Sequence, residues 1–267
     1  MREKLEPVSG YCYLRIAATV GVVILHVSAA LVDYSTLYGL SPSEHVFYLI
    51  CKNLFFWCVP CFVMITGALL LNENKAVSLH DCVHKYAKRI LLTLIVFGIP
   101  YAIIAECYES PSISLQVIPR ALARLISNRT FSHMWYLFMI LGMYLFLPVI
   151  KVFVDHSSKK LMQYVLGITY VFNIVLPFVS SVSGLDIAFQ LPVQSCYFFY
   201  LLLGVYLTAY EPKRAVHPAI PLIGLAVSAA AIVMVCFWRE ESISAVTSYS
   251  SPCTAVMAIC VFHLFGR

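Results

Sequence analysis

Two ionisable residues, Arg15 and His26, bracket the stretch "RIAATVGVVILH" (15–26), and the ten residues between them would sit comfortably in hydrocarbon. Imidazole is the side chain whose unperturbed pKa lies nearest physiological pH, so a neutral His26 could accept a proton from an attacking hydroxyl. At ~100° per residue, the eleven steps from Arg15 come to ~20° past three full turns, so a helix would carry both side chains on one face, ~16 Å apart. Other readings stay open at this point: Arg15 snorkelling to phospholipid headgroups, and His26 hydrogen-bonding a neighbouring helix. An ionisable group deep in a membrane is nonetheless a functional candidate by default.

That stretch must be a helix in lipid. The chain of 267 residues is 61% hydrophobic and 12% charged, against about 25% charged in a soluble domain. Apolar runs recur at 11–33, 45–71, 90–107, 133–153, 161–180, 194–210, 217–238 and 249–266. With ~20 residues per crossing and backbone groups that must be satisfied within each segment, the pattern predicts an all-α, polytopic transmembrane helical bundle of about eight spans. Nothing is left over for a soluble domain, so residues 1–267 are expected to form a single membrane domain. With the N-terminus in the cytoplasm, twelve of the 18 Lys and Arg, among them Arg2, Lys4, Lys213, Arg214 and Arg267, fall inside and four fall outside. This bias predicts that orientation, and puts Arg15 near the cytoplasmic interface with His26 near mid-membrane. The net charge of +5 serves topology, and no nucleic-acid partner is expected. Between the third and fourth runs, "LQVIPRALARLI" reads as an amphipathic helix lying in the interface, with Arg120 and Arg124 on one face.

Several stretches together resemble the integral-membrane acyltransferase family 3. Arg-x10-His in the first span matches that family's signature, and the likeness continues in order through "VPCFVMITGALLL", "YAKRILLTLIVFGIPY", "HMWYLFMILGMYLFLPVIK" and "YFFYLLLGVYL". The resemblance implies an O-acyltransferase that passes an acyl group, usually acetyl from acetyl-CoA, to a hydroxyl of a cell-surface polysaccharide or related glycan precursor, in a bacterial cytoplasmic membrane. It implies His26 as the catalytic residue and Arg15 as the residue that handles the donor, with no bound cofactor and acetyl-CoA or another acyl-CoA as co-substrate. The implied partners are the lipid bilayer, the acyl-CoA and a glycan or lipid-linked sugar. Lys88 and Arg89, on the inner side, could add phosphate contacts, because cations bind phosphate by charge and directed donors. His133 and Tyr136, where the fourth span opens, could orient an acceptor hydroxyl. Family members usually run longer, so the chain is expected to lack the last two spans.

Other signals are weaker. Cys58 and Cys61 have redox spacing but lie in a span, and His80 and His84 lack a third ligand, so no metal site is expected. Gly67 is expected to serve close helix packing, Lys52 to reach the interface or pair with a carboxylate such as Asp33, and Arg120, Arg124 and Arg129 to hint at an anionic acceptor outside. Two alternatives remain: a transporter of a small solute, in the manner of the related membrane portion of vancomycin-type serine racemases, and an inert truncated remnant.

Overall fold

The computed structural model describes residues 9–109, 116–130, 133–210, 216–239 and 247–265. Of the basic residues weighed for orientation, Arg2, Lys4, Lys213, Arg214 and Arg267 lie outside them. The protein is 81% helical with no strand among the described residues, and six helices are long and apolar enough to cross a membrane. These helices make it a polytopic, all-α membrane protein. In chain order the helices are α1 (Ser9–Asp33), α2 (Ser35–Tyr38), α3 (Pro42–Leu54), α4 (Cys58–Leu70), α5 (Leu79–Tyr108) and α6 (Val117–Ile126). They continue with α7 (Trp135–His156), α8 (Lys159–Ser183), α9 (Cys196–Ala209), α10 (Ala219–Arg239) and α11 (Pro252–Phe265). Two of the expected spans, α9 and α11, are shorter apolar helices.

Local chemistry accounts for the boundaries. Ser41 caps α3 in a reciprocal box with Glu44, with Pro42 at the first helical position, where its missing N–H costs nothing. The second apolar run, expected as one helix, is broken into α3 and α4 at Phe55–Trp57. Pro60 explains the break: it cannot donate to the carbonyl of Phe56 and its ring would strike that carbonyl. Pro100 and Pro177 are accommodated differently. Each follows a π-helical turn, Leu94–Gly98 in α5 and Val171–Val175 in α8, that widens the helix around the carbonyl four residues back.

The chain divides into two compact units, one made of residues up to Asn72 and from Ser157 onward, the other of Glu73–His156. At the centre of the first unit α4 and α9 pack backbone to backbone. A Cβ on Gly67 would meet the carbonyl oxygen of Leu201, and one on Gly204 the carbonyl oxygen of Met64. Small residues permit that approach, which in lipid is stabilised by dispersion rather than by the hydrophobic effect. Around this pair, α1 packs on α3 and α4, with Gly21 against the Cys58 thiol and the Phe55 ring. Leu49 of α3, Ile232 and Cys236 of α10 and Met257 of α11 form a further buried cluster. The outward face of α1, with Val20, Val23 and Val27, stays exposed for lipid.

In the second unit α6 folds onto the end of α5, burying Ala121 and Leu125 against Ala102 with Phe138 of α7 beside them. It is the amphipathic helix expected from the sequence, with Ile118, Leu122 and Ile126 along its exposed flank. Its basic face is held by Glu106, 6% exposed at the end of α5.

Candidate functional site

The α1 stripe begins with its buried neighbours. Leu14, Ala18, Leu25 and Ser28 turn into the first unit, and Arg15, Val22, His26, Ala29 and Asp33 lie ~55–115° to one side of them, at helical spacing. Arg15 is exposed and His26 half-buried. The buried row therefore fixes α1 in rotation and leaves its ionisable row at the edge of the packing. The Thr19 hydroxyl donates to the Arg15 carbonyl at 2.8 Å, which closes a polar group onto the helix rather than leaving it in lipid. At the far end of the stripe Asp33 meets Lys52 of α3 at 3.9 Å, one of the two outcomes expected for that lysine.

Carboxylate pairing separates the cations into two groups. Lys52 pairs with Asp33, and Lys151, which is buried, pairs with Asp155 one turn on. The Nε of Arg124 contacts Glu106 at 2.9 Å, and Arg120 reaches the other oxygen at 3.9 Å while also donating to Gln116 at 2.9 Å. Two of the three arginines that hinted at an outside anionic acceptor, Arg120 and Arg124, are thus engaged in holding α6 to α5. Among the described residues, no carboxylate pairs with Arg15, Lys88 or Arg89. These are the three cations assigned to the donor from the sequence.

In the second unit, Lys88 and Arg89 sit on an exposed face of α5, at the head of an open groove of about 530 Å³ that His84 and Lys85 share and Leu92, Val96 and Phe97 continue. Basic groups at one end and apolar ones along the rest suit an anion with an apolar arm. The sequence reading missed His84 and Lys85 in this role, although their spacing of four to Lys88 and Arg89 places all four on one helix face. His133 is exposed, with its ring edge-on to Tyr101 at 6.0 Å; Tyr136 is half-buried, edge-on to Trp135 at 6.1 Å.

Cys58 and Cys61 are free, buried thiols, and Cys61 donates to the Ala258 carbonyl at 3.6 Å. The His80 and His84 rings stack at 4.4 Å. The Thr66 hydroxyl donates back to Phe62 at 2.9 Å, and Gly67 makes the close helix contact expected of it.

Above the α3–α4 break lies an aromatic group. The ring of Tyr249, in the segment that leads into α11, stands 5.0 Å from Phe56 and 5.8 Å from Tyr197, and its carbonyl accepts from the Tyr200 hydroxyl at 2.8 Å.

A family model of the acyltransferase 3 type, described as an acyltransferase domain, matches residues 9–267. No curated protein and no solved structure matches the chain.

Proposed function

The chain belongs to the acyltransferase 3 family, and from that premise we propose that it is a membrane-embedded O-acyltransferase that moves an acyl group, acetyl in the simplest case, from a CoA thioester to a hydroxyl of a cell-surface glycan or its precursor. His26 is the general base. Its neutral imidazole takes the proton of the acceptor hydroxyl as that oxygen attacks the thioester carbonyl. The C–S bond then breaks, the ester forms, and the proton passes to the departing CoA thiolate. Arg15 holds the donor through its phosphates, and Lys88 and Arg89 form a phosphate-binding patch of their own on α5. The N-terminus is cytoplasmic, so that the donor enters from the side where Arg15 lies and its acyl end extends along α1 toward His26. His133 and Tyr136 orient acceptor hydroxyls.

One observation carries this reading: Arg15, a cation with no carboxylate partner among the described residues, shares a single stripe of α1 with half-buried His26. A snorkelling arginine alone would not require a histidine three turns deeper on the same stripe. The test is transfer itself. Membranes containing the protein, given acetyl-CoA labelled in the acetyl group, should place label in a base-labile ester on a glycan or lipid-linked sugar and release CoA. Membranes that release no CoA and acquire no ester label beyond those lacking the protein would remove the proposal.

A further inference from the structure

We propose that the cavity beneath residues 184–195 is a binding site for an uncharged, ring-shaped polyol such as a pyranose, the acceptor in the acyltransferase reading, on which this assignment rests. The cavity is built in the first unit from the end of α8. That helix stops at Gly184, whose φ of 71° is left-handed, where glycine carries no steric penalty. The Ser180 hydroxyl donates to the Leu185 carbonyl at 2.7 Å and turns the chain back over the helix. Asn173, in the π-helical turn and 6% exposed, ties down the other end by donating to the carbonyls of Val193 at 3.2 Å and Ser195 at 3.4 Å. Between these two ties the Gln194 amide donates to the Gln190 side chain at 2.8 Å.

The cavity is half open and holds about 240 Å³; Phe172, Asn173, Ser180, Gln190, Gln194 and Ser250 line it, with Phe189 as a second ring and four aliphatic or proline side chains between them. Drug-sized ligands occupy ~300–1,000 Å³, so this cavity is of single-ring size. Among the described residues, no Asp, Glu, Lys, Arg or His lines it. An ionic ligand would surrender hydration there for no counter-charge. A polyol meets what is present: carboxamides and hydroxyls with lone pairs and N–H groups left over from these ties, and phenyl rings for the apolar faces of a sugar ring.

Its position suits an acceptor. Ser250 follows Tyr249, whose ring stands 5.0 Å from Phe56. The neighbouring Phe55 ring lies 2.8 Å from where a Cβ on Gly21 would project, five residues before His26 on α1. Contacts therefore run from the segment that holds Ser250 through the α3–α4 break to Gly21 of α1.

The full chain in lipid nanodiscs would be examined by saturation-transfer NMR with the methyl α-glycosides of glucose, mannose and galactose, and with glucuronate as the charged comparator. At least one neutral glycoside should receive saturation, glucuronate should receive several-fold less, and Gln190→Ala with Gln194→Ala should cut the transfer at least fivefold. Gln194→Glu, which keeps the shape and adds a charge, should do the same. The assignment is overturned if all three glycosides are silent, if both variants bind as the parent does, or if glucuronate binds equally well. Binding of a non-hydrolysable acetyl-CoA analogue, followed on the same nanodiscs, separates the two readings. Donor binding with silent glycosides removes this site and leaves the transferase, whereas glycoside binding without donor binding keeps the polyol site and removes the transferase.

Discussion

Replacing Glu106 with alanine should free α6 from α5, and the structure sets the size and the asymmetry of the effect. The Glu106 side chain is 8% exposed and contacts Arg124, 22% exposed, at 2.9 Å, but reaches Arg120, 54% exposed, only at 3.9 Å. Removing one partner of a fully buried ion pair costs ~3–5 kcal/mol. Arg124 keeps a path to water, so ~2–3 kcal/mol is the reasonable figure for that contact, while the exposed, distant Arg120 pair is worth ~0–1 kcal/mol. Amide hydrogen exchange over 117–126 reads the opening of this helix directly. Glu106→Ala should accelerate exchange there by about 30-fold or more, since ~1.4 kcal/mol is a factor of ten. Arg124→Ala should approach that effect, Arg120→Ala should stay within about fivefold, and the double variant Glu106→Ala with Arg124→Ala should be no worse than the harsher single one. Equal effects from the two arginines, or full additivity of Glu106 and Arg124, would refute the clasp.

Other expectations follow from the packing and the donor reading. Gly67→Ala and Gly204→Ala each push a Cβ into a facing backbone carbonyl, so α4 and α9 must separate, and the thermal midpoint in detergent should fall by an amount matching ~1–3 kcal/mol. Gly142→Ala is the control: it meets nothing within 4 Å and should be neutral or stabilising by up to ~1 kcal/mol. By isothermal calorimetry Arg15→Ala should weaken binding of an acetyl-CoA analogue at least tenfold, consistent with ~1.5–3 kcal/mol for a charged hydrogen bond. Arg15→Lys should retain part of the loss, and the parent's affinity should decline with added salt. A loss of less than twofold in Arg15→Ala would take that residue out of the donor site.

Legibility in the sequence followed the range of the interactions involved. Hydropathy and periodicity are local, and they place the helices, including the amphipathic α6 with its two arginines on one face. The contact of Gly67 and the pairing of Lys52 with Asp33 were also within reach, because a glycine in a span and a long cation near a carboxylate admit few uses. The break between α3 and α4 was harder to see: Pro60 marks it, but the apolar run continues unbroken through Phe55–Trp57, and hydropathy does not register a missing backbone donor. The engagement of Arg120 and Arg124 depends on Glu106, which lies more than ten residues earlier in the sequence and comes near only because α6 packs on α5. The cavity was the least visible. Asn173 is a single amide in an apolar span, and Gln190 and Gln194 lie in an irregular segment, so only the return of the chain over α8 makes them neighbours. Arg15 and His26 were legible because eleven residues of helix suffice to align them.

The most direct test of the central claim is acetyl transfer by His26→Ala, measured with acetyl-labelled acetyl-CoA in membranes where the variant is inserted at the parent's level. Loss of general-base assistance predicts a fall of ~10²–10⁴-fold in transfer, with binding of the acetyl-CoA analogue retained within about threefold. Transfer at the parent's rate in His26→Ala would contradict the account.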